Sequence, residues 1–140
     1  FTVDNLPLHL THVDSFEINL NAEELSKKLT DTLEGQKIIK TVALEDEYYG
    51  PEKDILVTPL ELTPDLFKLQ MQMINILQKE GAVFKNPQFV GEYFTPHISV
   101  YGDRRVNPGD PVSIRDISLS SKVSDDENAN RRVLASFIFR

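Results

Sequence analysis

A chain of 140 residues, 40% of them hydrophobic, is long enough for one domain with a core of its own, without staples or metals. It has no cysteine, which excludes disulfides, thiolate catalysis and cysteine-ligated zinc and fits a cytoplasmic protein. No apolar run approaches membrane-spanning length and no secretory signal opens the chain. The formal net charge of −7 opposes the gripping of a long polyanion. It leaves room for a small anionic ligand or a strand end in a local positive patch, for which Arg104, Arg105 and Arg115 are candidates; each is equally well an ordinary solvated arginine.

In chain order, Leu8 to Ile18 reads as a strand with a polar interruption at Asp14 and Ser15. Asn21 starts a helix, with Glu24 three residues on as a capping box. Leu25, Leu29 and Leu33 form its apolar stripe, and Gly35 ends it. Strands follow near Ile38 to Glu45 and Ile55 to Leu62, joined through Tyr48, Tyr49, Gly50 and Pro51. Pro59 marks the second as an edge strand or a bulged one. Thr63 caps the second helix, Pro64 takes its first turn, and Asp65 suits its positive end. Leu66, Leu69, Met73, Ile76 and Leu77 form its buried face, and Gly81 ends it. Phe94 to Tyr101 is a strand. Ile114 to Val123 and Arg132 to Phe139 form a closing hairpin around an acidic turn at residues 125–127. The order predicts a single α+β domain over residues 1–140, with largely antiparallel sheets, helices on the outer face and two roughly similar halves.

The chemistry lies in two short motifs, Leu8-His9-Leu10-Thr11 and Pro96-His97-Ile98-Ser99. Alternate residues of a strand share a face, so His9 goes with Thr11 and His97 with Ser99, while Leu8, Leu10, Ile98 and Val100 face the core. Each motif thus shows one imidazole and one hydroxyl on a rigid element. Cleaving a phosphodiester needs a base for the attacking oxygen and an acid for the leaving one, and a pair of histidines supplies both near neutral pH. Thr11 and Ser99 can donate to the non-bridging oxygens where charge develops, so no metal or other cofactor is required. One such motif means little: any histidine finds a Ser or Thr two places on with a chance of roughly 12%. Two of three histidines doing so by accident is a matter of a few per cent, on the order of that product.

These motifs, each flanked by hydrophobic residues, resemble those of the 2H phosphoesterase superfamily, which includes 2′-5′ RNA ligase-like proteins and RNA 2′,3′-cyclic phosphodiesterases. The closing stretch from Pro96-His97-Ile98-Ser99-Val100 to Leu134-Ala135-Ser136-Phe137 is similar too, so the likeness covers most of the chain. It implies a two-lobed fold around a central cleft, one motif from each lobe, and a metal-independent phosphoesterase acting on a phosphodiester or 2′,3′-cyclic phosphate of RNA or a nucleotide. The catalytic groups would be His9, Thr11, His97 and Ser99. The partner would be a small nucleotide or RNA terminus, with no membrane, and the expected state is a monomer. Many members open with a further strand and helix, whereas eight residues precede His9 here, so the chain is either a shortened version or lacks upstream sequence. Val13 stands where many members carry an arginine, which shifts phosphate binding towards Arg104, Arg105 or Lys85.

Among the other candidates, Tyr101 follows His97 and Ser99 on the same alternation and has the best claim to line the cleft with Arg104 and Arg105. Tyr48, Tyr49, Phe84, Phe89, Tyr93 and Phe94 could stack on bases, but packing explains most of them better. Phe94, off that face, is expected to be buried. His12 alternates to the side of Leu10 and reads as a supporting residue; with Asp14 it makes too few ligands for a metal site. The acidic runs at 45–47 and 125–127 read as solvated. The alternative to an enzyme is a non-catalytic binder of a nucleotide or RNA end in the same cleft. A binder has no need of two titrating imidazoles, which favours the enzyme.

Overall fold

A computed structural model describes residues 8–87, 94–122 and 131–140. Among these residues the fold is α+β, with two helices and small sheets of short strands. The acidic turn expected at 125–127, and Phe89 and Tyr93, lie outside the described residues. The chain divides into two compact units, one from residues 8–19 and 39–113, the other holding the described parts of 20–38 and 114–140.

The second unit is built on α1, Ala22–Leu33. The Asn21 side chain accepts from the Glu24 backbone N–H at 2.8 Å and donates to the Glu24 carboxylate at 2.8 Å, so the capping box closes side chain to side chain. Leu25, Leu29 and Leu33 are buried, and Gly35 takes the left-handed conformation (φ 79°) beyond the cap. β8 (Asp116–Lys122) and β9 (Arg131–Ile138) form the antiparallel ribbon expected from the closing hairpin, with a register shift at Leu119/Ser120.

The first unit carries both motifs. Its helix α2, Pro64–Lys79, is capped by the Thr63 hydroxyl, which accepts from the Leu66 N–H at 3.2 Å. It ends in paired bonds from Gly81 N–H to Gln78 and from Ala82 N–H to Leu77, as a glycine past a helix end permits. Around it lie β1 (Phe16–Glu17) with β5 (Val83–Phe84), β2 (Ile39–Val42) with β7 (Pro111–Ile114), and the three-stranded sheet β3 (Glu47–Tyr49), β4 (Ile55–Pro59), β6 (His97–Ser99).

Several expectations change. The stretch Leu8 to Ile18 is not one strand: it makes a single bridge at Leu10 and then β1. The polar interruption is the reason, because the Asp14 carboxylate accepts from the Asn86 side chain and the Ser15 carbonyl from the Lys85 N–H, which draws the chain over to β5. Glu47 to Tyr49 is a strand and not a connection, joined to β4 by a turn at Gly50, whose φ of 96° suits glycine. Pro59 ends the central strand of its sheet, not an edge strand. There Glu47 faces Val57 while Ala43 faces Leu60, so residues 44–46 oppose only Thr58 and Pro59. That is a bulge, and it falls where a residue without an N–H does least harm.

Candidate functional site: two histidine motifs joined at one bridge

Ile98, at the centre of β6, is buried in a cluster with Ala43 and Leu60, and Leu10, Val106 and Val112 pack against it. Leu10 also forms an antiparallel bridge with Ile98. Both central residues therefore anchor in one core, and their neighbours along each chain take the opposite face. Carried one residue either way, the register of that bridge would bring the position of His9 beside Ser99 and that of Thr11 beside His97. His9 and Thr11 are exposed, and His97 and Ser99 half-buried. Leu8, expected inside, is 38% exposed, since no strand continues that far. The two motifs also belong to one compact unit, not to one lobe each, because the Leu10–Ile98 bridge ties them into the same core.

The ring of His97 is held in one state. Its Nδ1 lies 2.8 Å from the Thr95 carbonyl oxygen, which can only accept, so Nδ1 carries the hydrogen. The lone pair of the neutral imidazole is then on Nε2, at the far side of the ring. The adjoining residue is fixed in turn: Pro96 is buried and its carbonyl accepts from the Leu60 N–H at 2.8 Å. Tyr49 sets its ring edge-on to His97, with centroids 4.9 Å apart and planes at 67°. Burial pushes the Tyr49 hydroxyl's pKa up; a hydrogen bond from the Thr95 side chain opposes this, and bonding to Glu47 adds to it.

His12 lies on the buried side as expected, at 9% exposure, edge-on to Phe94 (5.6 Å), which is itself buried. Its backbone carbonyl accepts from the Gln70 side chain at 3.2 Å, and its ring bonds to the Leu69 backbone, so α2 pins the end of the first motif. Its Nε2 is buried with no hydrogen-bond partner among the described residues. Loss of hydration lowers its pKa from 6.5 to about 4, only partly offset by the Leu69 bond. His12 and Asp14 do not act together: one is buried, and the other is bound to Asn86.

Tyr101 and Arg104 stay together just past β6, their backbones paired at 3.1 Å in both directions and the guanidinium 5.9 Å from the ring centroid. Tyr101 is 38% exposed. Arg105 has another partner: its Nη2 donates to both oxygens of Asp46, at 2.7 and 2.8 Å. The buried Thr58 hydroxyl donates to the same carboxylate at 2.8 Å. These donors depress the Asp46 pKa, the Arg105 bond foremost. Asp46 lies in the bulge and is therefore not part of a merely solvated acidic run. Arg115 is exposed and belongs to the other unit.

No family model and no curated protein matches the chain. Among solved structures, the crystal structure of TT0787 from Thermus thermophilus is similar, with a TM-score of 0.60 at 17% identity, covering 95% of this chain and 78% of that one. At that identity the likeness extends to the fold alone: this chain shares the α+β arrangement of TT0787. No helix among the described residues is long and apolar enough to cross a membrane.

Proposed function

We propose that this chain is a metal-independent phosphoesterase of the 2H kind, acting on a phosphodiester or 2′,3′-cyclic phosphate of a nucleotide or an RNA end. The observation that supports the reading is the Leu10–Ile98 bridge, which joins the central residues of the two His-x-Thr/Ser motifs. A two-lobed architecture goes with that reading, with the catalytic groups in one unit.

In hydrolysis of a cyclic phosphate, the neutral imidazole takes a proton from water as its oxygen bonds to phosphorus. The bond from phosphorus to one ribose oxygen breaks, and the protonated imidazole gives that oxygen its proton. The product is a phosphomonoester, and the two rings have exchanged protonation states. His97 acts through Nε2 in either role, because Nδ1 is committed to Thr95. Thr11 and Ser99 donate to the non-bridging oxygens. Tyr101, with Arg104 over its ring, is the candidate support for the nucleoside.

The test is hydrolysis of 2′,3′-cyclic nucleotides and 2′-5′ linked dinucleotides with a strong chelator present. His9→Ala and His97→Ala should each lose roughly 10²–10⁴-fold in turnover. The double variant should be little worse than either, since the pair acts as a unit. Thr11→Ala and Ser99→Ala should cost less. Near-normal turnover in His97→Ala would overturn the mechanism. Tight binding without turnover by the unaltered protein would replace it with a binding protein of nucleotide ends.

A further inference from the structure

The geometry points to Tyr49 as a positioning residue for His97: its ring packs against the imidazole and holds it with Nε2 turned to the reacting phosphate. This rests on the phosphoesterase reading for the use made of Nε2, and on the structure alone for the hold itself.

Two contacts make the hold. The Tyr49 and His97 rings pack T-shaped with centroids 4.9 Å apart, which blocks one direction of imidazole rotation. The Thr95 carbonyl takes the Nδ1 hydrogen at 2.8 Å. Tyr49 reaches His97 from β3, two strands from β6 in the same sheet. An imidazole with a single hydrogen bond to an exposed residue can turn over and exchange tautomers; one packed against a second ring cannot do so freely. Tyr49 touches neither the reacting atoms nor the phosphate in this scheme, and its effect passes through His97.

The experiment reads the imidazole nitrogens by NMR in the ¹⁵N-labelled full chain, without ligand, at a pH where the ring is neutral. The unaltered protein should show His97 with hydrogen on Nδ1. Tyr49→Leu should show both tautomers in exchange, and Tyr49→Phe, which keeps the ring, should match the unaltered protein. Turnover of a cyclic nucleotide should fall in step, by about 10- to 10²-fold for Tyr49→Leu, since a misplacement of ~1 Å costs on the order of 10². KM should move little. Methyl signals of Ile98 and Leu10 report whether the core survives. If Tyr49→Leu does not fold, Tyr49→Ile carries the test, because a β-branched residue suits a strand and still removes the ring. His97 nitrogen shifts unchanged in whichever of these two variants folds would overturn the proposal. A tautomer change in a protein that hydrolyses no phosphodiester would leave the hold in place and remove the phosphoesterase reading instead.

Discussion

At the scale of single residues, two histidines have opposite surroundings. His97 is half-buried with a hydrogen-bond partner for Nδ1. His12 is buried with an Nε2 that no described residue satisfies. A buried imidazole resists protonation, so in the folded protein His12 takes a proton only near pH 4, while the unfolded chain takes it near 6.5. Between those values the unfolded state binds more protons, and stability falls as pH drops through that window. The full effect is of order 3 kcal/mol, since each tenfold loss of proton affinity is worth about 1.4 kcal/mol. Urea unfolding at pH 7.5 and 4.5 should show most of that loss, and His12→Leu should remove most of the pH dependence between them. Asp46 acts in a different range. Its depressed pKa contributes stability above the unfolded carboxylate value of 3.8, which is lost as pH falls below it. A His12→Leu protein that keeps the full slope between pH 7.5 and 4.5 would rule out the buried imidazole as its source.

At the scale of elements, the helices were legible and the short strands were not. Asn21, Glu24, Thr63, Pro64, Gly35 and Gly81 mark helix ends through local chemistry, and each stands where that chemistry predicts. β1 and β5 are two residues each, and β3 is made of a glutamate and two tyrosines, so neither length nor alternation announces them. They exist because of partners far along the chain. The same holds for the candidate site. Period two predicts a shared face within each motif, but the Thr95 carbonyl, the ring of Tyr49 and the pinning of His12 by Gln70 are contacts through space, without a local pattern. The bulge at Asp46 is the least predictable, since it turns an apparently solvated acid inward to Thr58 and Arg105. Asp46→Ala would leave the buried Thr58 hydroxyl with two long contacts of 3.5 Å, one to the Val106 carbonyl and one from Arg105 Nη2. We expect a loss of about 1–3 kcal/mol, the range for an orphaned buried polar group. Thr58→Val should cost less, because Asp46 keeps Arg105. A double-mutant cycle in urea would measure the coupling, and additivity of the two losses would mean that the three groups do not act together.

For the whole molecule, charge decides what approaches. With a net −7 the protein repels polyanions, and Arg105, a candidate for phosphate binding, is already engaged by Asp46. A protein that grips nucleic acid through many phosphates loses affinity as salt rises. The opposite sign is expected here for a multiply charged substrate. Raising ionic strength from ~20 to ~150 mM shortens the screening length to about 8 Å and weakens the repulsion. On the proposed phosphoesterase reading, kcat/KM for an oligonucleotide ending in a cyclic phosphate should therefore rise with salt, while that for a mononucleotide cyclic phosphate changes less. A steep fall with salt for both would reveal a basic surface outside the described residues.

The Leu10–Ile98 bridge has a kinetic consequence as well. It joins positions far apart in the sequence, and closing so long a loop in a featureless chain costs about 4 kcal/mol of entropy. Neither motif can find its partner through local folding. Both helices and several strands lie in the sequence between the segment with His9 and the strand that bears His97. The junction is one isolated bridge rather than a ladder, so on the proposed reading a phosphate that engaged both motifs would act as a clasp across the seam.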